Sequence, residues 1–465
     1  MSAKRKYRLE TFLPWDGAYV ERHLEKMARK GWRLEKAGSP FWTYRKAEPT
    51  NLRYAMTYFP DASVFDSGPT REQETYADYC AAAGWELVSA YGPLQIFVNE
   101  RPHPVPIETD EKEKLTAIHG AMKKMLLLPF GILLPLLLLT LVAEFRETAR
   151  YTPLSFVSSD VQLGLLVLDG GLAAYVAWIL LAYLIWYNRS QRAVEAGGAC
   201  RPTGTRLRRI ATRLFLAVLL VASAALLLRE PVMWVALPLI LGLTALLMVA
   251  IFGCFWWLKS LKLSRKQTRA AYFAAAVVLS LVFRPVTQWS ANAIKPLLPS
   301  SGHSPVSSYT VETKRSGYIT YDIYRDDLPL TLEDLGYTVT EEDHCSYWGK
   351  EQSSVLALWS HYRQDAYGEN STLPTLDYQT ADIPWTGLRE WCWENLSGYY
   401  GPYGLHVSFD ETDAAPWEAD RAMIWPDSSP NLRYLLLYGD RIVVLTLGFT
   451  PTAEQRSVIT AALRS

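Results

Sequence analysis

The stretch MLLLPFGILLPLLLLTLVA, residues 125–143, decides the class of this chain. It carries no charge, and a helix of about 20 mostly apolar residues crosses the ~30 Å hydrocarbon layer of a membrane. Four further apolar stretches follow, at 161–187, 210–228, 231–258 and 270–289. A membrane α-helical bundle of five spans is therefore expected over residues 125–289. The fifth stretch is the weakest, because Arg284 interrupts it. So near a helix end, a guanidinium can reach back to the headgroups. Pro129 and Pro135 each remove a helix hydrogen bond from the first span and predict a kink.

Charge orients this bundle. Residues 188–213 carry Arg189, Arg192, Arg201, Arg206, Arg208, Arg209 and Arg213 against the single acid Glu195. The connection before the fifth span holds Lys259, Lys262, Arg265, Lys266 and Arg269 with no acid, whereas residues 144–160 hold only Arg146 and Arg150. Basic connections stay in the cytoplasm. The N-terminus is accordingly expected inside the cell membrane and the C-terminus, after five crossings, outside. Trp186-Tyr187 and Trp256-Trp257 close two spans beside the basic connections, as interfacial aromatic residues do. The basic start Lys4-Arg5-Lys6 runs into polar sequence, so no cleavable leader is expected and the first span serves as the insertion signal.

Working outward, the chain of 465 residues balances 47 Lys+Arg against 47 Asp+Glu. The balance hides a gradient. Residues 1–124 hold 19 basic and 17 acidic side chains, residues 125–300 hold 17 and 6, and residues 301–465 hold 11 and 24, or +2, +11 and −13. The near-neutral first region offers phosphates no basic face, so nucleic acid is not an expected partner. Two α+β domains are expected to flank the bundle: residues 1–106 in the cytoplasm, joined by a juxtamembrane segment 107–124, and residues 300–465 outside. Pro102, Pro104 and Pro106 suggest an extended linker.

The N-terminal domain repeats itself. Met27-Ala28-Arg29-Lys30-Gly31-Trp32-Arg33-Leu34 aligns with Cys80-Ala81-Ala82-Ala83-Gly84-Trp85-Glu86-Leu87. Each copy reads strand, helix, strand, strand, with Val20, Leu24, Met27 and Ala28 at the spacing of one buried helix face. Gly31 and Gly84 stand where a helix ends in a left-handed residue. The duplicated unit predicts an antiparallel-rich sheet with two helices on one face. Trp15, Trp32, Trp42 and Trp85 are read as packing rather than as stacking platforms, because the repeat places them.

The helix ending Met-Ala-Arg-Lys-Gly-Trp-Arg-Leu, then Phe41-Trp42-Thr43-Tyr44-Arg45-Lys46, Tyr76-Ala77-Asp78-Tyr79-Cys80 and the closing Gln95-Ile96-Phe97-Val98-Asn99 together resemble the bacterial domain of unknown function 2812 family over roughly the first hundred residues. The resemblance implies a membrane protein of a Gram-positive bacterium, often encoded near PadR-like repressors, with no enzymatic activity attached. The chain departs from the family's closing aromatic-Phe-Arg-Lys at Phe97-Val98-Asn99.

The acidic C-terminal region reads as strands at 318–324, 355–361, 434–438 and 441–447, with a hairpin at Gly439-Asp440. A helix is expected over 385–396 and a last one beginning at Thr450-Pro451. Spacing leaves open whether Cys345 and Cys392 form a disulfide or stay separate thiols. Trp385, Trp391, Trp393, Tyr399, Tyr400 and Tyr403 are candidates for an aromatic platform binding wall glycan or peptide, with core packing as the alternative. His303, His344, His361 and His406 share no metal-ligand spacing, and no catalytic or phosphate-binding motif occurs. Neither a cofactor nor an enzyme is expected.

Asp169 is the one acid inside a span, followed by Gly170-Gly171, which would let a neighbouring helix approach. It is read as a proton or ion relay, as an assembly contact to Ser, Thr or Arg284, or as lying before a helix that really begins near Gly170. Ordered domains flanking a bundle poor in such groups point to a sensory or regulatory protein that couples an outside domain to a cytoplasmic one and to a protein partner there. A transporter or transporter accessory subunit is the alternative.

Overall fold

The computed structural model describes residues 4–10, 12–38, 41–66, 68–202, 206–261, 264–275, 304–313, 317–369, 371–398, 409–425 and 431–464. The chain divides into two compact units, Met1–Leu138 with Gly170–Leu219 and Pro238–Ala291, and Leu139–Asp169 with Leu220–Leu237 and Asn292–Ser465.

Four helices among the described residues are long and apolar enough to cross a membrane: Glu111–Arg146, Asp160–Glu195, Ile210–Leu227 and Pro231–Leu258. Of the fifth expected span, residues 270–275 are helical and the remainder, Arg284 included, lies outside the described residues.

In the first unit, β1 (Arg5–Leu9), β2 (Trp32–Lys36) and β3 (Phe41–Lys46) form an antiparallel sheet in the order β1-β3-β2. Strands β4 (Arg53–Tyr58), β5 (Glu86–Tyr91) and β6 (Leu94–Asn99) form a second one in the order β4-β6-β5. The expected single sheet is thus two, bridged where Ser89 Oγ accepts from the Ala37 amide at 3.0 Å. Helix Gly17–Arg29 buries Val20, Leu24, Met27 and Ala28 as its periodicity predicts. Gly31 stops it at φ +77, and a Cβ there would meet the Ala47 carbonyl oxygen at 2.8 Å, so only glycine fits. Helix Arg71–Ala82 starts from a capping box, Thr70 and Gln73 each bonding the other's backbone amide.

The juxtamembrane segment 107–124 packs into the N-terminal core. Asp110 caps helix Glu111–Met122, which passes through a wide turn at Lys123–Leu127 into helix Leu128–Tyr151 with Pro135 inside. Leu115, Ile118, Ala121 and Met122 are buried in the same core as Leu24, Tyr44 and Ile96. The preceding proline segment is held too, by Trp85 Nε1 donating to the Val105 carbonyl at 2.9 Å and Arg53 to that of Pro102 at 3.1 Å. The apolar positions of an amphipathic helix needed a surface to cover, and the sheet supplies it.

The second unit is built on one antiparallel sheet of seven strands. In sequence these are β9 (Cys345–Ser353), β10 (Leu358–Ala366), β11 (Leu376–Asp382), β12 (Asp410–Glu411), β13 (Arg421–Trp425), β14 (Leu432–Tyr438) and β15 (Arg441–Leu447), arranged β12-β13-β14-β15-β11-β10-β9. A separate pair, β7 (Ser307–Thr313) and β8 (Gly317–Ile323), precedes it. Gly439, at φ +55, makes the β14–β15 hairpin turn that the sequence signals. One sheet face packs on Leu330, Leu332 and the last helix, Ala453–Arg464. The cap of that helix is Thr452, whose hydroxyl accepts from Gln455, and not the expected Thr450. The other face packs on helix Thr386–Ser397.

Candidate functional site

The described features converge on the start of helix Asp160–Glu195. A five-residue helix, Pro153–Val157, has proline at its first turn, where no amide hydrogen is needed. It buries Leu154, Phe156 and Val157 in one core with Trp359, Ala381, Ile383, Trp393 and Leu437. Ser354 Oγ donates to the Val157 carbonyl at 2.6 Å and accepts from the amides of Leu356 and Ala357. Ser159 caps the long helix through the Gln162 amide at 3.3 Å.

Asp160 follows, and its side chain is 2% exposed. One carboxylate oxygen accepts from the Val355 amide at 3.1 Å, and the other takes Arg229 Nε at 2.9 Å. The carboxylate therefore ties together a helix start, the turn before Pro231 and the loop between β9 and β10. A buried carboxylate persists only when its oxygens are occupied in this way. Gly164, one turn on, lets the side chains of Leu226 and Leu227 come closer than an ordinary Cβ contact would allow. Sequence reading assigned no role to Asp160 or Arg229. The signal it held was an acid in the first turn after Ser158-Ser159 and an Arg229-Glu230 turn between two spans.

A cavity of about 280 Å³ lies beside this junction, lined by Ser155, Trp359, His361, Gln379, Phe409 and Arg433 among others. Asp377 holds His361 at 3.2 Å, and Trp359 Nε1 donates to Gln379 at 3.3 Å. The walls offer aromatic faces with a few hydrogen-bonding groups, the composition of a small-molecule site.

Of the expected aromatic platform, the three tryptophans are described and have different surroundings. Trp385 is exposed, Trp391 packs against Phe145 at 5.6 Å and Phe156 at 6.5 Å, and Trp393 is buried under the Arg421 guanidinium. The helix that carries them turns them in different directions, and Tyr399, Tyr400 and Tyr403 lie outside the described residues. Cys345 and Cys392 are both free thiols. Cys345 pairs in register with Ala366, on the face where Gln364 bonds the Leu332 amide, whereas Cys392 belongs to the helix on the opposite face. In this arrangement the sheet lies between the two thiols. Burial pushes the Cys345 thiol up to about 11 and the Cys392 thiol up to about 12.

Asp169 is half-buried and has no ion-pair partner among the described residues. Of its two glycines, Gly171 receives Leu219, whose methyls a Cβ would overlap, while Gly170 faces open space. Near the N-terminal sheets, burial raises the Glu108 carboxyl to about 7, reinforced by Glu21 and opposed by Lys114. Glu10 sits among His23, Arg8 and Tyr44. Trp15 and Trp85 are core residues, and Trp32 lies under the ammonium groups of Lys6 and Lys46. No group of three metal-ligating side chains occurs among the described residues.

The chain thus has four helices long and apolar enough to cross a membrane, flanked by α+β regions. Residues 19–130 match the family described as "Protein of unknown function (DUF2812)". The match runs past residue 106 through helix Glu111–Met122, in agreement with that helix belonging to the N-terminal core. No curated protein and no solved structure is similar enough to match.

Proposed function

We propose that this protein is a multi-pass membrane sensor or regulator that couples an extracytoplasmic C-terminal domain to a cytoplasmic N-terminal interaction domain. One observation carries the reading: helix Asp160–Glu195 contributes to a folded α+β core at each of its ends. In the second unit, Asp160 is bonded into the β9–β10 loop and to Arg229. In the first unit, Ile179, Tyr183 and Trp186 of that helix lie in the N-terminal core with Leu115, Ile118 and Met122. Trp15 packs edge-on against Tyr183 at 5.2 Å, and His119 bonds the Tyr183 hydroxyl at 2.8 Å.

The same grouping supports five crossings with the N-terminus inside. The basic connections fold with the N-terminal domain: the Cys200 amide donates to Glu111 at 2.8 Å, and Arg265 clamps Asp66 at 2.6 and 2.8 Å. The alternate connections, residues 152–160 and the Arg229 turn, fold with the C-terminal domain. Domains assigned to alternate connections belong to opposite sides of a bilayer, which an odd number of spans satisfies. A duplicated N-terminal unit is favoured by the matching strand orders and by bulges at Leu34/Lys36 and Leu87/Ser89.

Under this reading a compact ligand in the cavity beside Trp359 and Arg433 shifts the hold of the C-terminal domain on Pro153–Asp160, and the helix carries the change inward. The decisive experiment compares cytoplasmic partners co-purified with the intact chain, with a chain lacking residues 301–465 and with Asp160→Asn. Altered partner occupancy in both variants is expected, and unchanged occupancy in both refutes coupling.

A further inference from the structure

We infer that the face of helix Asp160–Glu195 turned toward helix Arg206–Leu227 is a binding site for one anionic phospholipid. Ala174, Trp178, Ala182, Ile185, Arg189 and Arg192 recur at three- and four-residue intervals, so they form one stripe along the helix. Its first part borders an apolar cavity of about 310 Å³ closed on the far side by Ala211 and Phe215. Its last part borders a cavity of about 760 Å³ whose charged lining is Arg189, Arg192 and Arg201.

The second cavity is a built cleft. Trp186 Nε1 donates to the Arg201 carbonyl at 2.8 Å, and the Arg201 amide donates to Ser190 Oγ at 3.2 Å, which folds residues 200–202 back over the helix end. Trp186 and Ser190 are buried. No ion pair neutralises Arg189, Arg192 or Arg201 among the described residues, while Glu195 is engaged by Gln191 and Glu111 by the Cys200 amide and Lys114. Three guanidiniums lining one space attract phosphate oxygens.

Length selects a lipid over a free anion. From Trp178 to Arg189 the helix rises about 16 Å at ~1.5 Å per residue, close to half of the ~30 Å hydrocarbon layer. An acyl chain beside Trp178 and Ala211 thus brings its headgroup to the arginines. Trp186, buried in the N-terminal core, lies between the apolar and the charged parts of the stripe.

The test uses the purified full chain in detergent, titrated with phosphatidylglycerol or phosphatidylcholine, with bound lipid counted by native mass spectrometry. One phosphatidylglycerol is expected, held at least about tenfold more tightly than phosphatidylcholine, since each arginine near a membrane surface contributes on the order of 1 kcal/mol. The triple variant R189Q/R192Q/R201Q is expected to lose roughly a hundredfold in phosphatidylglycerol affinity. Ala211→Trp, which fills the apolar part, should weaken both lipids and leave the chain folded. Equal affinity for the two lipids in the unmodified chain, or an unaffected triple variant, overturns the inference. So does displacement of phosphatidylglycerol by equimolar sn-glycerol 3-phosphate, which marks a free-anion site. Absence of any bound lipid, as when a segment of the chain fills the groove, overturns it as well.

Discussion

Removing the exposed partner of the Asp160–Arg229 pair should do more damage than removing the buried one. The Asp160 side chain is 2% exposed and the Arg229 side chain 51%. In Asp160→Asn the amide oxygen still accepts from Val355, and Arg229 regains water or headgroups on its open side. The lost charge-assisted bond, worth ~1.5–3 kcal/mol when fully buried, is discounted by that exposure to about 1 kcal/mol. Arg229→Ala instead strands a buried carboxylate with one amide donor. Uncompensated buried charges cost about 3–5 kcal/mol, and the helix N-terminus offsets part of this, which leaves about 3 kcal/mol. Hydrogen–deuterium exchange of the full chain reads both values as opening of residues 352–360 and 153–163. The opening equilibrium should rise roughly fivefold for Asp160→Asn and roughly a hundredfold for Arg229→Ala. Equal effects, or the reverse order, would show that Asp160 is not held as a buried charge at this junction.

Three further outcomes follow from the same kind of reasoning. In intact cells Cys345 and Cys392 should resist impermeant maleimide, because both are buried with raised pKa; Glu454→Cys should label from outside and Tyr79→Cys only after lysis, and labelling of both or neither before lysis contradicts the proposed topology. Glu108, with a folded pKa of about 7 against an ordinary 4.5, holds its proton while the unfolded chain loses it, so rising pH costs stability between those values, about 3 kcal/mol in all. Glu108→Gln should abolish that loss above neutral pH and change nothing below pH 4, measured by exchange protection of helix Glu111–Met122 and β4; a variant with the parent's pH profile rejects the assignment. Gly171→Val should destabilise the detergent-solubilised chain by about 1–3 kcal/mol through overlap with Leu219, whereas Gly170→Ala should be neutral, and similar melting of the two would mean that the helices do not meet there.

Much of the architecture is legible in local pattern. Apolar length marks the four long helices, the three-and-four spacing of Val20, Leu24, Met27 and Ala28 marks a buried face, and Gly31 and Gly439 mark forced backbone turns. What stays hidden is set by partners distant in sequence. Nothing within residues 107–124 says that Leu115 and Met122 cover a sheet, because proline-rich sequence before them looks the same whether it is free or held by Trp85 and Arg53. Cys345 and Cys392 can be judged only once register places them on opposite faces of a sheet. Asp160 reads as an ordinary helix-start acid until Val355, 195 residues later, donates to it. Local chemistry therefore predicts elements well, and the candidate site, made where elements meet, poorly.

That division bears on the choice between sensor and transporter. A transport pathway needs polar groups facing one another at membrane depth, since each isolated one is costly there. Among the described spanning residues Asp169 stands half-buried without a charged partner, and its neighbour Gly171 is used for helix packing. The paired charge is instead at the end of the helix, where Asp160 meets Arg229 and the β9–β10 loop. Under the proposed reading, polar chemistry placed at the helix start would serve to transmit position rather than to line a pathway. That proposal needs only that the C-terminal unit hold the start of the helix, as Val355 does through Asp160, and that the N-terminal unit hold its later turns, as Trp15 does through Tyr183.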